Sequence, residues 1–146
     1  MKRHWLLLAA ALVVVALIVY PSSQCKVSGS ELKVSPLKTF VIDVQEGYAV
    51  GFSFNVTNGG SCEVNARNIH VVLRSVTYAD GRETAQNLDD TDPVSSTLSP
   101  GQAGQFSYTL NSYLEYRPTK LNLRVEIAFA ETGSVPVFDG ELAIQG

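Results

Sequence analysis

Gly47-Tyr48-Ala49-Val50-Gly51-Phe52-Ser53-Phe54-Asn55-Val56-Thr57-Asn58 alternates without a break. Tyr48, Val50, Phe52, Phe54 and Val56 share one phase, while Ala49, Gly51, Ser53, Asn55 and Thr57 share the other. A two-residue period sustained this long marks a strand buried on one face. Asn58-Gly59-Gly60 then ends it in a turn or loop.

The same grammar continues downstream. Ile69, Val71 and Leu73 are in phase within Asn68–Tyr78, and Ala79-Asp80-Gly81-Arg82 follows as a hairpin turn, because glycine tolerates the positive φ such turns require. Asn87–Ser96 is polar and acidic, so it is expected to be a loop or a ragged edge. Ser99-Pro100-Gly101 turns the chain into a short strand, Gln105–Asn111, with Phe106, Tyr108 and Leu110 inward. Thr119–Glu131 is the strongest alternation in the chain: Leu121, Leu123, Val125, Ile127 and Phe129 face one side. Glu131-Thr132-Gly133-Ser134 turns into the last strand, where Val135 and Val137 take one phase and Phe138, Leu142 and Ile144 the other. That switch beside Pro136 predicts a β-bulge or a crossing between sheets. Upstream, Glu31–Val44 reads as one strand broken at Pro36. About seven strands with turns every ~10–15 residues predict an all-β, immunoglobulin-like two-sheet sandwich.

Composition agrees. Charged residues are 17% of the 146, below the usual quarter. No repeat of solenoid length is visible. Beyond Lys2 and Arg3 the chain holds 9 Lys/Arg against 14 Asp/Glu. An acidic domain without a basic stripe lacks the cations that nucleic-acid phosphates require.

Residues 1–24 differ from the rest. Lys2-Arg3-His4 precedes an apolar run, Trp5 to Tyr20, and Pro21 stops any helix there. As a helix this run would reach roughly 24 Å, short of a ~30 Å hydrocarbon core unless flanking residues snorkel or the bilayer thins. The basic flank puts the N-terminus in the cytoplasm. An uncleaved signal anchor is favoured over a cleaved signal peptide, which would want a small-x-small exit that is missing here. A third reading lipidates Cys25, although Gln24 stands where a lipobox has a small residue. All three place the domain outside the cytoplasm, either membrane-anchored or secreted. The resulting organisation is 1–24 anchor or signal, 25–38 extended connector or first strand, and 39–146 sandwich.

Reactive groups are sparse. His4 lies in the N-terminal flank and His70 on the polar phase of its strand, and Met1 is the lone methionine. A copper site of His, Cys and Met has no material, no His/Cys cluster has zinc spacing, and no Gly-x-Ser-x-Gly elbow exists. In an exported protein Cys25 and Cys62 are read as one disulfide. Free or lipidated thiols are the alternative. Asp89, Asp90 and Asp92 offer oxygen ligands to Ca²⁺ but lack EF-hand spacing, so a solvated acidic loop is the plainer reading. Asn55-Val56-Thr57 is an N-glycosylation sequon on the outward phase.

Phe52-Ser53-Phe54-Asn55-Val56-Thr57-Asn58-Gly59-Gly60, Ala66-Arg67-Asn68-Ile69-His70-Val71, Leu98-Ser99-Pro100-Gly101-Gln102 and Phe106-Ser107-Tyr108 together resemble the CARDB-type and related immunoglobulin-like domains of archaeal and bacterial surface proteins. The resemblance spans roughly Thr39 to Ala130. Its motifs mark turns and core positions and bring no catalytic residue with them. The strand grammar is also similar to the WHy domains of late-embryogenesis-abundant proteins, with Asn58-Gly59-Gly60 in place of Asn-Pro-Asn. An anchor followed by a small sandwich resembles archaellum stator proteins in architecture alone.

These readings converge on a non-enzymatic, membrane-anchored extracytoplasmic module without a cofactor. Its partners would be another envelope protein or its own copies, with the membrane engaged through the N-terminal helix. Alternatives are a filament subunit in which Lys26–Val34 adds a strand to a neighbour, an accessory subunit of a membrane complex, and, less favoured, a Ca²⁺-binding protein or an enzyme.

Overall fold

The computed structural model describes residues 27–145. Apart from a 3-10 turn at Gly29–Glu31, its regular structure is all strand. In chain order these are β1 (Leu32–Val34), β2 (Lys38–Val44), β3 (Gly47–Asn58), β4 (Val64–Tyr78), β5 (Glu83–Leu98), β6 (Ala103–Thr109), β7 (Pro118–Phe129) and β8 (Gly133–Ala143). They form two antiparallel sheets. The hydrophobic helix expected near the N-terminus lies outside the described residues.

β3, the strand that opens the sequence reading, is the centre of the first sheet. One edge of β3 holds β2 along its first half and β1 along its end, while β6 pairs along the other edge. The expected single strand from Glu31 to Val44 is thus divided into two, giving eight strands where about seven were predicted. Pro36 has no N–H to donate and interrupts the line, and Ser35 fills the gap: its backbone N–H donates to Asn55 O (2.9 Å) and its hydroxyl accepts from Asn55 N–H (2.8 Å).

The second sheet runs β5-β4-β7-β8. Its core positions are the predicted ones: Ile69, Val71, Leu73, Leu121, Leu123, Val125, Ile127 and Phe129 are all buried. They meet Val50, Phe52, Phe54 and Val56 of β3 in one hydrophobic core. Aromatic cross-strand pairs order the first sheet's inner face. Phe52 stacks on Tyr108 at 5.5 Å and Phe54 on Phe106 at 5.7 Å between ring centroids, matching the β3–β6 register. In β8 the register slips between the pairs Val125↔Phe138 and Glu126↔Pro136, so Val137 is the extra residue of the expected bulge.

Of the two forms expected for Asn87–Ser96, the structure has the ragged edge and not the loop: the segment is the middle of β5, a 16-residue edge strand. Few of its side chains are apolar, so hydrophobic alternation is faint. The strand forms because the open edge of β4 offers main-chain donors and acceptors, which pair regardless of side chain. Two register shifts in β4, at Ala66/Asn68 and Leu73/Ser75, make the edge irregular.

Candidate interaction surface

The sandwich has two unlike ends, set by the two ends of β3. At the Asn58 end the chain is tightly tied. Asn58 is fully buried, and its amide Nδ2 donates to the carbonyls of Cys62 (2.7 Å) and Leu98 (3.0 Å). Its Oδ1 accepts from Gly60 N–H (2.9 Å). The Asn58 backbone exchanges bonds with Gln102 O and Gly101 N in the turn after β5. One side chain therefore binds the end of β3, the 59–63 loop and the link between the sheets. The first described residues pack here too: Val27 is buried, Gly59 N–H donates to Glu31 O, and a Cβ on Gly60 would come within 2.9 Å of Val27. Asn58-Gly59-Gly60 and Ser99-Pro100-Gly101 thus build one joint.

At the Gly47 end the chain is open. Leu114 pairs with Tyr48 through two main-chain bonds of 2.8 and 2.9 Å, which dock the β6–β7 loop. Gly47 has φ 139°, and a Cβ there would sit 2.2 Å from Leu114 O. Around this anchor Tyr116 meets Tyr78 edge-on at 5.8 Å, and the Arg82 guanidinium lies 4.9 Å over the Tyr116 ring. Arg82 also pairs with Asp80 inside the β4–β5 turn. The Asp80 carboxyl is lowered first by the Arg82 backbone N–H and also by its guanidinium, and Arg82 is raised in return. Arg117 reaches Asp43 at 3.8 Å, joining the loop to β2. The exposed large hydrophobics among the described residues are Tyr113, Tyr116 and Ile42, and all three lie toward this end. Surfaces that combine exposed tyrosine with arginine are typical of binding hot spots.

The singled-out polar residues fall elsewhere. Alternation along β5 separates the three aspartates: Asp90 and Asp92 take the inward phase and Asp89 the outward one. Asp89 accepts from His70 Nε2 on the outer face of the second sheet. Asp90 Oδ2 accepts from Tyr108 O–H (2.8 Å) and Asn111 Nδ2 (2.9 Å), tying the edges of the two sheets together. Burial, followed by this bond to Asp90, pushes the Tyr108 hydroxyl far above its ordinary 10.0. A solvated acidic loop is therefore corrected to a structural strand. No group of three or more His, Cys, Asp or Glu placed to hold a metal occurs among the described residues. A shallow groove of about 380 Å³ runs beside β5, lined by Val72, Arg74, Gln86 and Leu88 among others.

Asn55 is exposed on the outer face of β3, with its backbone in the ladder. Cys62 is half-buried, and no free cysteine occurs among the described residues; Cys25 lies outside them. Of the segment offered as a donor strand, Leu32–Val34 is already paired with β3 of its own chain. No helix among the described residues is long and apolar enough to cross a membrane.

Sequence reasoning passed over the Tyr113–Arg117 loop. The available signal was two tyrosines flanking a leucine in a segment without strand alternation, a pattern that fixes no chemistry until the loop is docked.

No protein-family model and no curated protein matches the chain. Among solved structures, the Northeast Structural Genomics Consortium target SoR45 is similar with a TM-score of 0.51 at 13% identity, over 81% of this chain and 89% of its own. That likeness shows a shared all-β fold. The putative ApaA protein from Bordetella pertussis (TM-score 0.46, 17% identity, 77% of this chain and 93% of its own) and the sporulation control protein Spo0M from Bacillus subtilis (0.41, 16%, 77% and 50%) are more distant. Neither carries an argument about function.

Proposed function

We propose that this chain is a non-enzymatic extracytoplasmic module: an immunoglobulin-like domain tethered at its N-terminal end, whose opposite end contacts another protein of the cell envelope. The observation that carries the reading is the polarity of the sandwich. The first described residues are held at the Asn58 end of β3, and the exposed aromatics lie toward the Gly47 end, eleven residues away. At ~3.3 Å per residue that separation is about 36 Å. A membrane anchor in residues 1–24 would therefore present the tyrosine-rich loop away from the bilayer.

The immunoglobulin-like assignment draws on strand order. Counting β1 and β2 as one line, the sheets correspond to A-B-E and C′-C-F-G, the arrangement reached when the fourth strand joins the C-F-G sheet. A Cys25–Cys62 disulfide fits the same picture. It would close a loop of over thirty residues, worth about 3–4 kcal/mol on the chain-entropy account, and would brace the tethered end. The absence of catalysis is argued from the sequence, which supplies the domain with a single histidine.

Two measurements test this. Protease added to intact cells should cut the domain; protection until lysis would place it inside and sink the reading. A photo-crosslinking residue at Tyr113 should capture one specific partner that the same residue at Lys33, beside the tethered end, does not. Equal capture at both positions would remove the case for a distal contact.

A further inference from the structure

We propose that the outer edge of β2 pairs antiparallel with β2 of a second copy of this chain. A sheet edge presents unpaired main-chain groups, and natural sandwiches guard such edges with proline, charge, bulges or shortness. Three of the four sheet sides here are guarded. β5 carries Asp89, Asp90, Asp92 and Pro93 with an irregular register. β8 has Pro136 and a bulge. β6 is tied to β5 of the other sheet through Tyr108 and Asp90.

β2 carries charge only near its two ends, at Lys38 and Asp43, and has neither proline nor bulge. Lys38-Thr39-Phe40-Val41-Ile42-Asp43-Val44 pairs with β3 in unbroken register over seven residues. Among the described residues its sheet neighbour is β3 alone. Gln145 N–H reaches β2 from beyond the end of β8, but it donates to the Thr39 hydroxyl and not to the main chain. The outward side chains are apolar as well. The Phe40 ring covers Gly51, where a Cβ would lie 2.4 Å from it, and Ile42 is 53% exposed beside Ala49.

A second copy fits this edge for reasons of symmetry and charge. Antiparallel pairing of a strand with itself is an isologous, two-fold contact that closes at a dimer. It sets the Lys38 end of each strand against the Asp43 end of the other, which a parallel pairing would not do. Residues directly opposite must share a face, so the register centred on Val41 places Val41 against Val41 and Phe40 of one copy against Ile42 of the other. Two aromatic–aliphatic cross-strand pairs result, on the face where Phe40 and Ile42 already stand proud of small neighbours. The inference is independent of the partner proposed for the distal end.

Single cysteines placed at 40, 41 and 42 in the full-length protein, oxidised in its own membrane, read the pairing directly, because opposed strand positions lie within disulfide reach. Val41→Cys should give a linked dimer on non-reducing gels. Phe40→Cys and Ile42→Cys should link only to each other when both forms are present together. Adding Ile42→Lys to Val41→Cys should cut the linked fraction by about tenfold, the scale of two lost cross-strand pairs. Tyr116→Ala should leave linkage unchanged, so failure of the distal contact and failure of the edge pairing are read separately. No linkage at any of the three positions would overturn the proposal, as would equal linkage from Ser107→Cys on β6 or indifference to Ile42→Lys.

Discussion

The two ends of this sandwich are built on opposite principles. At the Asn58 end one buried amide satisfies three groups from two segments, while Gly59 lets the Glu31 main chain approach and Gly60 makes room for the Val27 side chain. At the Gly47 end a loop is docked by the Leu114–Tyr48 bridge, the Arg117–Asp43 pair and a main-chain bond from Ala79 to Arg117, and its aromatic groups remain largely in solvent. A buried polar joint is costly to disturb, since each stranded donor or acceptor bears its full desolvation cost. An exposed aromatic cluster can change at little cost to folding. The first end is suited to holding the domain together and the second to evolving contacts.

That contrast can be broken first at its strong side. Asn58→Ala strands the carbonyls of Cys62 and Leu98 and the Gly60 N–H, and should remove about 3–5 kcal/mol of stability at ~1–3 per stranded group, some of them reaching water. Chemical denaturation measures this; a loss below 1 kcal/mol would mean that the joint is not the keystone described.

Gly47→Ala tests whether the open end has any rigid element. Its positive φ and the 2.2 Å approach to Leu114 O predict a loss of about 1–3 kcal/mol. Hydrogen exchange should then speed at Leu114 while Asn58 keeps its protection. Uniform acceleration at both ends would show that they are not separable.

Tyr108→Phe removes the hydroxyl bridge between β6 and Asp90 and should cost about 1–2 kcal/mol at neutral pH. The folded-state value of Tyr108 is raised above 10.0. Its contribution is therefore fully present below the unfolded value and declines as pH rises through and beyond 10. The variant should lose less stability than the parent across that alkaline range, and parallel declines would show that Tyr108 is not the group responsible.

The smallest effect belongs to Glu131, which bonds Asn65 near the start of β4. Burial raises its carboxyl, but the Asn65 side chain and backbone N–H outweigh this and leave it below 4.5. The group is exposed, so its stabilisation is worth well under ~1 kcal/mol. It is present above the unfolded value and fades as pH falls through the folded one. Glu131→Gln should flatten that shallow acid-side slope in thermal melts and lower stability near neutrality by no more than that small amount.

Much of the fold was legible wherever side chains alternate. β3 has the bounds read from its alternation, and the inward residues of β7 are the five assigned from phase. Phase and glycine placement also located the Asp80-Gly81 hairpin, where Gly81 has φ 87°, and the bulge in β8. β5 was legible only as a loop or a ragged edge, because few of its side chains are apolar and main-chain pairing by itself leaves no pattern in hydrophobicity. The acidic triplet misled for the same reason: three carboxylates close in sequence lie on two faces once the segment is extended. The tyrosine loop had no period to read at all.

What the residues decided alone is the all-β character, the core and the turns. These depend on local φ preferences and on the two-residue period, both short-range properties of the chain. The sandwich's polarity, the role of Asn58 as a joint, the bond from Asp90 to Tyr108 and the bare edge of β2 were decided by tertiary structure. Each depends on which main chains and side chains from distant segments are brought together, and only closure of the two sheets around one core determines that.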